Sequence, residues 1–328
     1  MDILSLAQTN LVSPPILFFI LGMGAALLRS DLSIPSAIAK GLSLYLVMAI
    51  GFKGGAEMAA GGLTPQALGA LAAGVFLSAS IPFIGFFLLR ATTGLRQIDA
   101  AAVAAHYGSI SIVTFIAASD AGIAIDLPGS GHMVAVAAAM EAPAILTGLL
   151  LAGAGARAGS AAARRSEGLI REILLNGSIV LLLGGFAIGW ATGADGMAAV
   201  EPFFVDIFRG VLCLFLLDMG LIAGGGLLKH GRELKPAVIG FGVYMALIGA
   251  GLALGVAWAL GMTPANAALL MTLAASASYI AVPAALRLAL PEARSAISLT
   301  LSLGVTFPFN LVFGIPIYFW AARTVLGG

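Results

Sequence analysis

Charge is what this sequence has least of. Only 9% of its 328 residues are charged, while 60% are hydrophobic and the mean hydropathy is +1.07. A soluble globular domain carries about a quarter charged residues, so that class is excluded. The 16 basic residues are scattered and nearly balanced by 15 acidic ones, which leaves no basic face for nucleic acid. Cysteine is almost absent: Cys213, set in an apolar run, builds neither a disulfide framework nor a thiolate metal site. Enzyme signatures are missing too, with no His-Glu-x-x-His, no Walker A and no Gly-x-Ser-x-Gly; no catalytic residue and no cofactor is expected. No basic region precedes the first apolar stretch, so a cleaved signal peptide is not expected. What is left is an integral membrane protein surrounded by the lipid bilayer.

A membrane-crossing helix needs roughly 20 apolar residues, and charges mark where such runs stop. Ten spans are expected, at about 11–28, 34–52, 64–89, 100–119, 130–155, 170–193, 205–227, 234–260, 264–289 and 295–322. The eighth and ninth share a charge-free run from Pro236 to Leu286, divided by the turn signal Gly261-Met262-Thr263-Pro264-Ala265-Asn266. Lys and Arg favour the cytoplasmic side of short loops. With both termini outside, 13 of the 16 basic residues fall on the cytoplasmic side, leaving Lys53, Arg209 and Arg323 outside. The expected location is the inner, or plasma, membrane.

The basic, small-residue segment 157–168 reads as a cytoplasmic linker between two five-helix halves, residues 1–156 and 169–328. Five is odd, so the second half enters from the opposite side, as in inverted-repeat secondary transporters. Weak internal likeness agrees: Lys53-Gly54-Gly55 pairs with Gly224-Gly225-Gly226, Ser109-Ile110-Ser111 with Ser276-Ala277-Ser278, and Glu141-Ala142-Pro143 with Thr306-Phe307-Pro308.

Polar residues at bilayer depth mark the candidate site. The fourth span is polar and small around Ser109, Ser111 and Thr114, and the ninth carries Ser276, Ser278 and Tyr279 ahead of Pro283. Proline removes a backbone donor and clashes one turn back, so the ninth span should break near Tyr279. Free amides at a half-helix N-terminus suit an anion, while hydroxyl and carbonyl oxygens suit sodium. The same hydroxyls could instead bond the preceding turn or join helices. Glu141, beside Pro143 in the fifth span, could ligate sodium, carry a coupling proton or bond a neighbouring serine. Glu141, Ser111, Thr306 and Ser278 form the expected sodium set. Asp218 is expected to pair with a basic residue of another helix, His106 to be a hydrogen-bonded core histidine, and Lys53 with Glu57 to form a local ion pair.

The runs from Asp99 to Thr114, Met140-Glu141-Ala142-Pro143-Ala144, Ala275 to Arg287 and Leu301 to Asn310 together resemble the sodium-dependent bicarbonate transporter family. The likeness extends from about Ser13 to Ala322. It implies an all-α fold of ten membrane helices in two inverted repeats. Helices 1, 2, 6 and 7 would form a gate domain and the others a core with interrupted helices 4 and 9, assembled as a homotrimer. It implies that substrate is held by Ser109, Ser111, Thr114, Ser276, Ser278 and Tyr279. Two departures stand out. The best-known members carry an Asp where Tyr279 stands and Gly-Pro-Pro after it, and a shorter acid at Glu141. They also have a long acidic central loop and a small PII-like cytoplasmic regulator, whereas the loop here is short and basic. Sodium-coupled uptake of bicarbonate or a similar small anion is the leading expectation. A cation/proton antiporter and a non-transporting membrane sensor or scaffold are the alternatives.

Overall fold

A computed structural model of the chain describes residues 8, 11–152, 177–231, 234–279, 282–283, 285–286 and 290–327. The basic linker expected at 157–168 lies outside the described residues. Among the described residues the chain is helical without strands: α1 (Pro14–Leu27), α2 (Ser36–Gly61), α3 (Pro65–Thr92), α4 (Gln97–Gly108), α5 (Ile112–Ala124), α6 (His132–Ala139), α7 (Glu141–Leu151), α8 (Gly177–Glu201), α9 (Phe208–His230), α10 (Pro236–Ala259), α11 (Pro264–Ala275) and α12 (Ser295–Leu326). Eight helical stretches are long and apolar enough to cross a membrane, counting α4 with α5 and α6 with α7 as one each; α1 and α11 are shorter apolar helices. The chain is therefore a multi-pass membrane protein. Its outer faces fit that solvent, with Phe18, Phe76, Phe87 and Trp258 all exposed.

Local chemistry sets the helix ends. Thr64 and Thr263 cap α3 and α11 by accepting the amides of Ala67 and Asn266, each with proline as the first helical residue. Gly261 adopts φ +60° in the turn expected before Pro264. Two boundaries differ from those expected. The second helix runs on to Gly61, because Lys53 and Glu57 end an apolar run without breaking a helix. They form no ion pair within 4 Å; Lys53 acts on both Glu57 and Asp120 from further away. The ninth span loses its helix at Ser276, earlier than Tyr279. There the Ser276 hydroxyl bonds back to the Leu273 carbonyl, a local alternative to continuing the helix.

Small residues let two pairs of helices touch backbone to backbone. In α1 against α9, a Cβ on Gly22 would lie 2.1 Å from the Leu217 carbonyl oxygen, and one on Gly220 2.2 Å from that of Phe19. In α2 against α8 the fit is equally tight: a Cβ on Gly55 would lie 2.0 Å from the Phe186 carbonyl oxygen, and one on Gly189 2.0 Å from that of Phe52. In the other group α3, α7, α11 and the start of α12 pack against α4, whose residues Asp99 to Gly108 are all buried. The fold thus sets paired helices beside a second group that encloses α4, α5 and α11.

Among the described residues, one ion pair joins these two groups. Arg209 at the start of α9 reaches Asp120 of α5 at 3.1 Å, over a cavity of about 40 Å³ whose walls include Ile16, Ala117, Leu212 and Phe319. Arg209 is thus engaged with the neighbouring group, while Asp218, buried in α9, leaves its Oδ2 without a hydrogen bond.

Candidate functional site

Two helices lose their regular backbone at the same depth and meet there. The fourth span stops at Gly108 and restarts at Ile112, with no proline in the gap; α11 stops at Ala275. The breaks bond to each other. The Ser111 amide donates to the Ser276 hydroxyl at 2.9 Å, and the Ser278 amide donates to the His106 carbonyl at 2.8 Å. His106 Nδ1 bonds the Ser278 carbonyl at 2.6 Å. Backbone groups freed by the breaks are thus satisfied by the opposite helix, which is how irregular backbone survives at bilayer depth.

Each expected site residue has a definite place. Ser111 caps α5, its hydroxyl accepting the Thr114 amide at 3.2 Å, so the positive end of the α5 dipole opens at the crossing. Ser109 donates to Glu141 Oε2 at 2.7 Å, and Glu141 is buried at the start of α7. Tyr279 packs its ring edge-on to Phe307 with centroids 5.6 Å apart. Its hydroxyl lies beside Ser111 without completing a hydrogen bond, and Thr114 Oγ1 is likewise buried with no partner. Thr306 makes its bonds elsewhere: it donates to the Gly242 carbonyl at 2.9 Å, so the Tyr107 hydroxyl, 2.5 Å away, must donate to it. Serines 109, 111, 276 and 278 with Thr114, Tyr279 and Glu141 therefore form one connected neighbourhood. Thr306 is tied to Tyr107 of α4 and to α10.

Buried hydroxyls without partners are uncommon, because leaving a polar group unpaired costs about 1–3 kcal/mol. Thr114 Oγ1 and the Tyr279 hydroxyl are two such atoms, and both residues meet Ser111, Thr114 through its amide and Tyr279 through its hydroxyl. Unpaired oxygens, a carboxylate and a helix N-terminus make a site able to hold a small cation with a small anion. Among the described residues no three His, Cys, Asp or Glu side chains cluster as a transition-metal site would require.

The sequence profile of the Na+-dependent bicarbonate transporter superfamily matches residues 14–323. The chain belongs to that family. No curated protein matches it. The family's general activity, ion-coupled transport across a membrane, fits a break at the centre of a helical bundle.

Several residues that shape the site escaped the sequence reasoning. Asn310 donates through Nδ2 to the Ala275 carbonyl at 2.9 Å, closing the broken end of α11, and Tyr318 donates to Asn310 Oδ1 at 2.6 Å. Ser78 of α3 donates to the Met140 carbonyl at 2.6 Å where α6 passes into α7. The available signal was a polar side chain in an apolar run, with Asn310 and Tyr318 eight residues apart and so close to one helix face.

Proposed function

We propose that the chain is a sodium-coupled symporter of bicarbonate or a similar small anion, working by movement of a core against a gate. The observation that carries this is the mutual bonding of the two helix breaks, with the hydroxyls of Thr114 and Tyr279 left unpaired beside it. In this proposal Ser109, Ser111, Thr114, Ser276, Ser278 and Tyr279 face the anion, and Glu141, Ser111, Thr306 and Ser278 supply oxygens to sodium. Glu141 is the strongest ligand offered, since a carboxylate meets the positive ion with full charge. Thr306 joins only by yielding its bond to Tyr107 or Gly242.

Ten helices in two inverted repeats, residues 1–156 and 169–328 about the linker, account for the packing. Exchanging the halves would turn the pair of first and seventh helices, α1 with α9, into that of sixth and second, α8 with α2. Those four form the gate and the others the core in this proposal. In this proposal Arg96 and Arg294 lie at the cytoplasmic face of an inner membrane, with Arg209 and both termini outside, a reading supported by the preference of Lys and Arg for the cytoplasmic side. A homotrimer and a small PII-like cytoplasmic regulator complete the proposal by family likeness.

Radiolabelled bicarbonate uptake into proteoliposomes, with sodium or potassium outside, tests it. Uptake that needs sodium is expected. Uptake indifferent to the cation would remove sodium coupling, and sodium-for-proton exchange without anion uptake would replace the symporter with an antiporter.

A further inference from the structure

A second cavity, of about 130 Å³, lies toward the Arg96 and Arg294 end of the helices. Its walls include Ala102 and His106 of α4, Pro283 from beyond the break in the ninth span, and Leu290, Ser295 and Ser298 leading into α12. A single water needs only about 10–15 Å³ by this measure, so there is room for a small hydrated anion. Among the described wall residues only His106 is ionisable, and it is 1% exposed.

The geometry fixes how that imidazole faces the cavity. Its Nδ1 bonds the Ser278 carbonyl, and a carbonyl only accepts, so Nδ1 carries the proton. No described residue bonds Nε2. The carboxylates nearest along the chain or in the site are engaged: Asp99 by Arg96 and Arg294, Glu141 by Ser109. A buried ring without a carboxylate partner is neutral, which leaves Nε2 as a bare lone pair. An anion whose oxygens are all acceptors meets that lone pair with repulsion. One that carries a proton on one oxygen donates it to Nε2 and turns its other oxygens toward the Ser295 hydroxyl on the cavity wall.

We propose that this cavity is the second half of the anion path, joined to the crossing through the His106–Ser278 bond, and that His106 selects oxyanions bearing a proton, the hydrogencarbonate class, over fully deprotonated ones such as nitrate. This rests on the symporter function proposed above. His106 touches the substrate in transit and moves no proton; its Nε2 is a hydrogen-bond acceptor that serves as a filter.

Two variants separate the filter from a merely structural ring. His106→Asn places an amide nitrogen near the Nδ1 position, keeping the bond to Ser278, and leaves nothing at Nε2. His106→Gln places its amide near the Nε2 position and gives up the Ser278 bond. In the reconstituted full chain, sodium-driven uptake of labelled bicarbonate is measured against competing nitrate. His106→Asn is expected to raise the KM for bicarbonate roughly tenfold, as loss of one buried hydrogen bond would, and to let nitrate compete better by a similar factor. His106→Gln should keep most of the discrimination. Unchanged KM and unchanged nitrate competition in His106→Asn, with wild-type uptake intact, overturn the filter alone. Absence of sodium-dependent bicarbonate uptake in the wild type overturns the symporter and the filter with it. Should His106→Asn not fold, the wild type decides: hydrogensulfite at mildly acidic pH must compete better than nitrate, and equal competition refutes the filter.

Discussion

Arg209 and Asp120 form an ion pair between two helices that belong to different packing groups, α9 and α5. Asp120 is largely buried while Arg209 is half exposed, at 16% and 51% of their side-chain surfaces. A pair of that kind adds little stability, about 0–1 kcal/mol, because water screens it and holding the long side chain costs entropy. Its position matters more than its strength. In the proposed movement of a core against a gate, it would hold one end of the seam between the two packing groups.

Breaking this clasp should therefore change access more than stability. In a Cys213→Ala background, a cysteine at Ala117, which is 7% exposed and lines the cavity beneath the pair, should react with an external maleimide slowly. Arg209→Gln should speed that reaction severalfold while lowering Tm by no more than a few degrees. Equal labelling rates with and without Arg209 would remove its role in closure.

Asp99 presents the opposite balance. It is 1% exposed and bonds Arg96 at 2.8 Å and Arg294 at 2.8 Å, and it also accepts the Arg294 backbone amide at 3.0 Å. One carboxylate thus ties the start of α4 to the start of α12. Asp99→Asn preserves the shape and removes the charge, leaving two guanidiniums facing each other without their shared partner. The variant is expected to lose roughly 2–3 kcal/mol, typical of hydrogen bonds to a charged group. Arg96→Gln should cost less than half of that, because Arg294 remains. Thermal unfolding of the purified protein in detergent checks the order, and an equal loss for the two variants would contradict it.

The unpaired hydroxyls give a test in which stability and affinity move apart. Thr114→Val and Tyr279→Phe each remove an oxygen to which no described residue is hydrogen-bonded. Both should leave stability unchanged or raise it slightly, since no bond is lost and an unsatisfied group disappears. If these oxygens meet the substrate or sodium, affinity should fall roughly tenfold in the same variants. By contrast, Ser276→Ala strips the Ser111 amide of its acceptor, and it should reduce stability and affinity together. Unaltered binding in both Thr114→Val and Tyr279→Phe would return the pair to helix packing.

Much of this was legible along the chain because the bilayer imposes a simple rule: charges end spans, and the turn at Gly261 and Pro264 divides one long apolar run into α10 and α11. The polar, small residues at Ser109 and Ser111 also marked a place where the fourth helix opens. What the sequence hid was pairing. Asp120 and Arg209 are 89 residues apart, and Asp99 and Arg294 are 195 apart, so no periodicity links them. Pro283 pointed to a break near Tyr279, yet the backbone departs at Ser276, where a serine can bond its own preceding turn and accept from Ser111 at once. That choice depends on the neighbouring helix, and local propensity does not contain it.

Glu141 separates the possible coupling mechanisms most sharply. Its Oε2 accepts from Ser109 at 2.7 Å, and a hydroxyl can make that bond to either the ionised or the neutral acid. A carboxylate that ligates sodium must be ionised in the bound state, so protons and sodium compete for it. Sodium affinity should then be constant at high pH and fall about tenfold per pH unit once pH drops below the Glu141 pKa in the sodium-free protein. Glu141→Gln keeps the shape and the bond to Ser109 but cannot be ionised. It should bind sodium at least tenfold more weakly and show no such pH dependence. A structural, neutral Glu141 would instead tolerate Gln with sodium affinity unchanged, since acid and amide satisfy the same partner. A proton-carrying Glu141 would give a variant that still binds substrate and loses only uptake driven by a proton gradient. Sodium-dependent uptake by wild type and Glu141→Gln, each at one pH above and one below the wild-type transition, distinguishes the three. Wild-type sodium affinity in Glu141→Gln would end the case for ligation.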